Sequence, residues 1–312
     1  MSTVKQENLK FAGVSETYEV QAHPQSNRLY HISMKPEIVK RFFQRVREND
    51  ISVQRLEYTP YERHVVAGFL LELSGSGLQD VILNILHDRD SGGFTIGVQG
   101  EQLNTDDYVI FSTALAHLAG LPNHDAMSNK YYARFTVKDT DDSDSYLRQA
   151  YRLFTMHTDG TFVDEPTDWL LMMKMHEAHA KGGESRLLHL DDWEDLEKFS
   201  TDPLASHEFT YKAPPSKNVA QEIKRTVFFK VNNKPCICFI DQFAHPESIE
   251  EANYLKNLSH SMESDKNVIE LELPVGDLVM VNNLFWLHGR AAFEKNPLLD
   301  RELLRQRGRF TK

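Results

Sequence analysis

The sequence predicts an α+β fold, mainly β: a sandwich or jelly roll over residues 130–312, with a largely helical layer, residues 1–120, packed outside it. Three observations predict this. Apolar residues recur at helical spacing three times before residue 120. After residue 130 the texture changes to short apolar runs separated by polar or Gly/Pro stretches, which read as strands. No internal repeat or low-complexity linker interrupts the chain, so one domain, 1–312, is expected.

The helices come first. "KPEIVKRFFQRVREN" gathers Ile38, Val39, Phe42, Phe43 and Val46 on one face. "GLQDVILNILHDRD" repeats the pattern with Leu78, Val81, Ile82, Ile85 and Leu86, and "SGG" ends it. "TDDYVIFSTALAHLAG" is expected to start at a cap, Thr105, and to stop at Gly120. The expected strands are "YYARFTV", "DWLLMMKM", "SRLLHL", "VFFKV", "PCICFI", "NVIELEL" and "DLVMVNNLFWLHG". The acidic run "DTDDSDS", residues 139–145, lacks the glycine and terminal glutamate of a calcium-binding EF-hand and reads as a solvated turn.

Composition narrows the function. A net charge of −11 argues against a general nucleic-acid binder. The N-terminus lacks the apolar core of a signal peptide, and no run approaches the roughly 20 apolar residues of a membrane span. Cys236 and Cys238 alternate with apolar neighbours, as in a strand rather than a redox pair. A reduced, cytoplasmic protein is expected, without nucleic-acid or membrane partners.

The chemistry lies in "FTMHTDGTF", where His157 and Asp159 stand two apart before Gly160. With 14 His in 312 residues, chance supplies about one His-x-Asp, so context must decide. A second copy, His189-Leu190-Asp191, ends an apolar run, and Asp191 with Glu194 resembles a capping box. That copy is read as structural. His157 and Asp159 enter a strand, where residues i and i+2 point to one side. His288, near the end of "NNLFWLHGR", is a candidate third ligand, the alternative being a strand-end histidine beside a turn. Two histidines and one carboxylate on a jelly roll form the facial triad that suits a non-heme Fe(II) oxygenase.

Oxygenases of this kind use 2-oxoglutarate, whose far carboxylate needs a cation, best an arginine with its two-pronged guanidinium. The tail "DRELLRQRGRF" offers Arg301, Arg305, Arg307 and Arg309, the last three with strand parity. From Gly289 onward seven Lys/Arg face three Asp/Glu, a local +4 in an acidic chain. Ser185, after the glycine pair in "GGES", offers a hydroxyl for the same carboxylate.

The blocks "MSNKYYARF", "DSDSYLRQ", "HTDGTFVDE", "LLMMKM", "GGESRLLHLDDW", "APPSKNV", "IDQF", "NNLFWLHGR" and "RELLRQRG", over roughly residues 113 to 308, carry a resemblance. The chain resembles the carbon-starvation-induced glutarate 2-hydroxylases, Fe(II)/2-oxoglutarate dioxygenases with a double-stranded β-helix core. The resemblance implies His157, Asp159 and His288 as iron ligands, and Arg307, assisted by Ser185, as the 2-oxoglutarate anchor. It implies that glutarate, 2-oxoglutarate and O2 give 2-hydroxyglutarate, succinate and CO2, in lysine breakdown, by a homotetramer. A dianionic substrate needs further cations, for which Arg305 and then Arg309 are the candidates. The chain departs from the family at Arg309, where an aromatic is expected, and in its tail, which runs further in the family. The main alternative is a sibling oxygenase acting on another small anion, a sulfonate or a betaine.

Overall fold

The computed structural model describes residues 10–98, 103–138, 151–213 and 217–311. The acidic run 139–145 lies outside the described residues. The chain opens with an antiparallel meander, β1 (Gly13–Val14), β2 (Tyr18–His23) and β3 (Ser26–Met34). Helices α1 (Pro36–Glu48), α2 (Val53–Tyr58), α3 (Pro60–Ser74) and α4 (Gly77–His87) follow, then β4 (Gly93–Gly97), α5 (Thr105–Ala119) and β5 (Gly120–Pro122).

Helix α1 starts at Pro36, where the missing N–H costs nothing, and buries the five predicted apolar residues. Helix α4 buries Leu78, Ile82, Ile85 and Leu86. The cap of α5 is Asn104 rather than Thr105. The Asn104 side chain accepts from the Asp106 and Asp107 N–H groups, and Asp107 accepts from the Asn104 N–H. The first 120 residues are therefore not only a helical layer, because β1–β4 extend the larger sheet. Strand β4 hides from periodicity because four of its five residues are buried, leaving no polar alternation.

The second half contributes β6 (Ala133–Lys138), β7 (Phe154–His157), β8 (Trp169–Ala178), β9 (Ser185–His189), α6 (Leu196–Ser200), β10 (Glu208–Lys212) and β11 (Glu222–Thr226). There follow β12 (Phe228–Val231), β13 (Lys234–Ile237), β14 (Ala244–His245), α7 (Ile249–Glu263), β15 (Ile269–Leu271), β16 (Asp277–Asn282), β17 (Trp286–Arg290) and β18 (Asp300–Phe310). The larger sheet runs β1-β2-β3-β4-β16-β8-β18-β5, with β6 also on β18; the smaller runs β15-β9-β17-β7. Two ribbons, β11-β10-β14 and β12-β13, lie beside them.

The larger sheet is covered on both faces, which is why its central strands read as unbroken apolar runs. Trp169, Leu171, Met173, Leu278 and Met280 pack with the helices, against residues such as Phe42 and Phe111. Their strand neighbours Leu170, Val279 and Val281 pack with Leu187, Leu188 and Leu287 of the smaller sheet. The run "DLVMVNNLFWLHG" is not one strand. It breaks at Asn282 and Asn283, and β16 and β17 enter different sheets. The Asn282 side chain accepts the Leu284 N–H at 3.0 Å and donates to the Leu86 carbonyl at 3.0 Å, an asparagine turn inside an apolar segment.

Among the described residues no single helix is long and apolar enough to cross a membrane. Helices α3 and α4 together reach that length and composition, but as a pair bent by 106°.

Candidate active site

Strands β7 and β17 are neighbours in the smaller sheet, and His157 lies directly opposite His288. Their ring centroids are 4.0 Å apart. Strand β7 is the edge of its sheet, and an unpaired edge must be covered. Glu263, at the end of α7, accepts the Met156 N–H and pairs with Arg186 at 2.6 Å. The edge is thereby fixed beside the histidine.

Asp159 lies beyond the end of β7, in a bend, so strand parity alone does not position it. Backbone clamps do. The Thr158 N–H donates to the Phe239 carbonyl at 2.9 Å, and its hydroxyl accepts the Phe239 N–H at 3.0 Å. These bonds tie Thr158 to Phe239. Asn283 then accepts the Asp159 N–H at 2.9 Å and donates to the carbonyls of Asp159 and Thr167, at 3.0 and 2.8 Å. Gly160 completes the turn with φ +79°, and a Cβ there would lie 2.2 Å from Thr167 Oγ1. Gly160→Ala is expected to cost about 1–3 kcal/mol of stability and to weaken metal binding, because Asp159 and Thr167 share the Asn283 clamp. Denaturant midpoints and an iron titration check both effects.

His157, Asp159 and His288 each offer a ligand atom, all within 4.8 Å of one another, and all three side chains are buried. Both Nε2 atoms approach Asp159 Oδ1, at 3.9 and 4.0 Å. His157 Nδ1 lies 2.7 Å from the Thr155 carbonyl, which can only accept. Nδ1 therefore carries the proton and Nε2 keeps its lone pair for a metal. Burial pushes both imidazoles below their ordinary pKa, so they are neutral ligands. Burial also pushes the Asp159 carboxyl up. The Arg305 guanidinium, with Arg307 behind it, outweighs this and holds the carboxyl well below the usual range. This donor set fits Fe(II): two neutral nitrogens, one carboxylate and room for further ligands.

The second His-x-Asp copy is structural. His189 is buried, and its Nδ1 accepts the Asp191 N–H at 3.1 Å, so His189 and not Asp191 caps the short turn. Asp191 pairs with Arg89 at 2.6 Å.

Two cavities meet at the cluster. The larger, about 490 Å³, is lined by His157 and Asp159 together with Asp125, Lys217, Arg305 and Arg307. The smaller, about 70 Å³, is lined by His157 and His288 with Ser185, Arg290, Arg301 and Arg305. Strand β18 supplies the arginines because its odd residues from 301 to 307 face inward. Its even residue Gln306 points the other way and donates to Ser112 of α5 at 3.1 Å. Arg301 is buried at the start of the strand, its Nη1 donating to the Gly183 carbonyl and its Nε 3.3 Å from Glu177. Arg305 bridges two carboxylates, with Nη1 3.1 Å from Asp159 and Nη2 2.7 Å from Asp125.

Arg307 is also buried, yet among the described residues its guanidinium has neither a hydrogen bond nor an ion pair; it lies 5.9 Å from the Phe162 ring centroid. Arg309 is exposed, pairs with Glu165 at 3.2 Å and lines neither cavity. Ser185 and Arg307, read from sequence as partners, line different cavities. Sequence reasoning passed over Asp125 and Lys217, and grouped Arg305, Arg307 and Arg309 without Arg301. The strand parity already present in the tail puts Arg301 on the same face.

Comparison with known proteins follows the same lines. The chain matches the CsiD family over residues 18–310. It is 45% identical to the glutarate 2-hydroxylase of Citrobacter koseri over 291 residues, 92% of this chain and 88% of that one. It is 44% identical to the glutarate 2-hydroxylase of Klebsiella pneumoniae over 296 residues, 94% of this chain and 90% of that one. Among solved structures, asparagine oxygenase is similar with a TM-score of 0.71 at 16% identity, covering 89% of this chain and 92% of that one. The non-heme iron oxygenase OrfP, in complex with Fe and alpha-ketoglutaric acid, is similar with a TM-score of 0.67 at 16% identity, covering 89% and 93%. At such identities the likeness is one of fold, mixed helix and strand with sheet predominating. The match across nearly the whole length establishes that the chain belongs to the CsiD family.

Proposed function

We propose that this protein hydroxylates glutarate at C2, giving 2-hydroxyglutarate, while 2-oxoglutarate and O2 are converted to succinate and CO2. The observation that carries the reading is the buried His157–Asp159–His288 cluster between two arginine-lined cavities. The relatives' names support the substrate. The two facing sheets support a double-stranded β-helix core in a single domain.

When bound, Fe(II) supplies the site for O2 chemistry that couples loss of CO2 from 2-oxoglutarate to oxidation of a C–H bond. The protein's own part is orientation. Arg305 Nη1 reaches both carboxylate oxygens of Asp159, at 3.3 and 3.1 Å, and keeps that carboxylate ionised and oriented as a metal ligand. In this reading the smaller cavity takes 2-oxoglutarate, with Arg301 and Ser185 at its far carboxylate. The larger cavity takes glutarate, with Arg307 and, once it turns from Asp125, Arg305 at a substrate carboxylate. Arg307 and Ser185 line different cavities, so the reading gives them different carboxylates. Phe154, Phe162, Ile240 and Phe243 line the larger cavity and keep water from the reacting carbon. A five-carbon chain held at its ends presents C2 to the metal in one orientation, which is the main kinetic gain available to the protein.

The test is a panel of glutarate, succinate, adipate, taurine and γ-butyrobetaine, scored by substrate-dependent succinate formation from labelled 2-oxoglutarate. Glutarate is expected to give the fastest turnover and a product heavier by one oxygen. Turnover of taurine or the betaine without glutarate would keep the oxygenase and reject the substrate. The same reading implies lysine breakdown in the cytoplasm by a homotetramer, the last checked by light scattering.

A further inference from the structure

Lys217 is a cation that the reaction as described leaves unused. It sits half-buried between β10 and β11 and lines the larger cavity with Asp125, Asp159, Arg305 and Arg307. Among the described residues its nearest polar partner is Met127 Sδ, 4.0 Å from Nζ, and no carboxylate lies within ion-pair distance.

Charge makes this informative. Asp125 and Asp159 both lean on Arg305. That leaves Arg307 and Lys217 as two cations of the cavity with no carboxylate partner among the described residues. A partly buried ammonium is costly to keep charged. Burial, reinforced by Arg305, lowers the Lys217 pKa to about 8 even with Asp159 and Asp125 nearby. A bound anion removes that cost. Two unmatched positive charges suit a ligand with two negative ones. The cations also come from different elements. Arg307 is fixed on a central strand, and Lys217 comes from the connection between two ribbon strands, on a long stem that adjusts to a carboxylate.

We propose that Lys217 is a specificity-determining residue: its ammonium holds the glutarate carboxylate that Arg307 leaves free, so the cavity selects dianions over monoanions. This inference rests on the glutarate reading above.

Its test compares glutarate with glutaramate, a monoamide of the same length and one charge fewer. Both are titrated anaerobically into protein loaded with Fe(II) and 2-oxoglutarate, using wild type, Lys217→Met and Lys217→Arg. Wild type is expected to prefer glutarate about tenfold or more. Lys217→Met is expected to lose most of that preference with unchanged 2-oxoglutarate affinity, and Lys217→Arg to keep much of it. A merely structural role would weaken both ligands and 2-oxoglutarate alike. That result, a wild-type ratio near one, or a preference intact in Lys217→Met overturns the inference. Glutarate that binds with the expected preference but is never hydroxylated would instead overturn the proposed reaction and leave the role of Lys217 standing.

Discussion

Replacing His157 with alanine is expected to abolish Fe(II) binding and glutarate turnover together. The site has three protein ligands, and the variant retains two. Loss of a residue that merely orients a ligand already costs roughly 10- to 100-fold in metal affinity, so loss of a ligand should exceed that. His288→Ala should behave alike, because the two imidazoles face each other across β7 and β17. His189→Ala is the control. It removes a buried ring from the same sheet without touching the cluster, so it should cost stability and keep the metal. An anaerobic Fe(II) titration separates the cases, and equal affinity in wild type and His157→Ala would reject the assignment. Iron stands low in the Irving–Williams order, so the isolated protein is expected to carry other divalent metals.

The second large effect divides the arginines. Arg301→Ala is expected to raise the apparent KM for 2-oxoglutarate with little change in that for glutarate. Arg307→Ala is expected to do the reverse. Losing a buried charge-assisted pair costs roughly 2–5 kcal/mol, equivalent to about 30-fold or more in binding. The prediction follows from the two cavities, since Arg301 shares one with Ser185 and His288 and Arg307 shares the other with Lys217. A raised KM for 2-oxoglutarate in Arg307→Ala, with Arg301→Ala silent, would return the co-substrate to the larger cavity. Arg309→Ala, at a surface pair with Glu165, should change neither constant appreciably.

The metal cluster was legible because its chemistry is dense in sequence. His157 and Asp159 stand two apart, and His288 closes an apolar run before a glycine. Their mutual placement was less so. Asp159 owes its position to Asn283, which is 124 residues away in sequence, and no local pattern announces that clamp. The helices with one apolar face could be read directly. Strand β4 could not, because burial on both sides erases alternation. The break at Asn282 and Asn283 was visible as two polar residues in an apolar run, but the sheet each half joins is a tertiary fact. The arginines illustrate both limits. Parity gave Arg305 and Arg307 a common face, whereas the division of Arg301 and Arg307 between the cavities, with Arg305 lining both, depends on depth along β18. Asp125 and Lys217 were silent. One lies in a polar turn and the other in a connecting segment, and only the fold brings them to the site.

The central claim, that one O2 molecule oxidises both glutarate and 2-oxoglutarate at this site, is tested most directly with ¹⁸O₂. Iron-loaded protein is incubated with glutarate and 2-oxoglutarate under the labelled gas, and both products are weighed by mass spectrometry. The account predicts one labelled oxygen in the new hydroxyl of 2-hydroxyglutarate and one in succinate, in equal amounts. A hydroxyl without label, or labelled succinate formed while glutarate remains untouched, would contradict it.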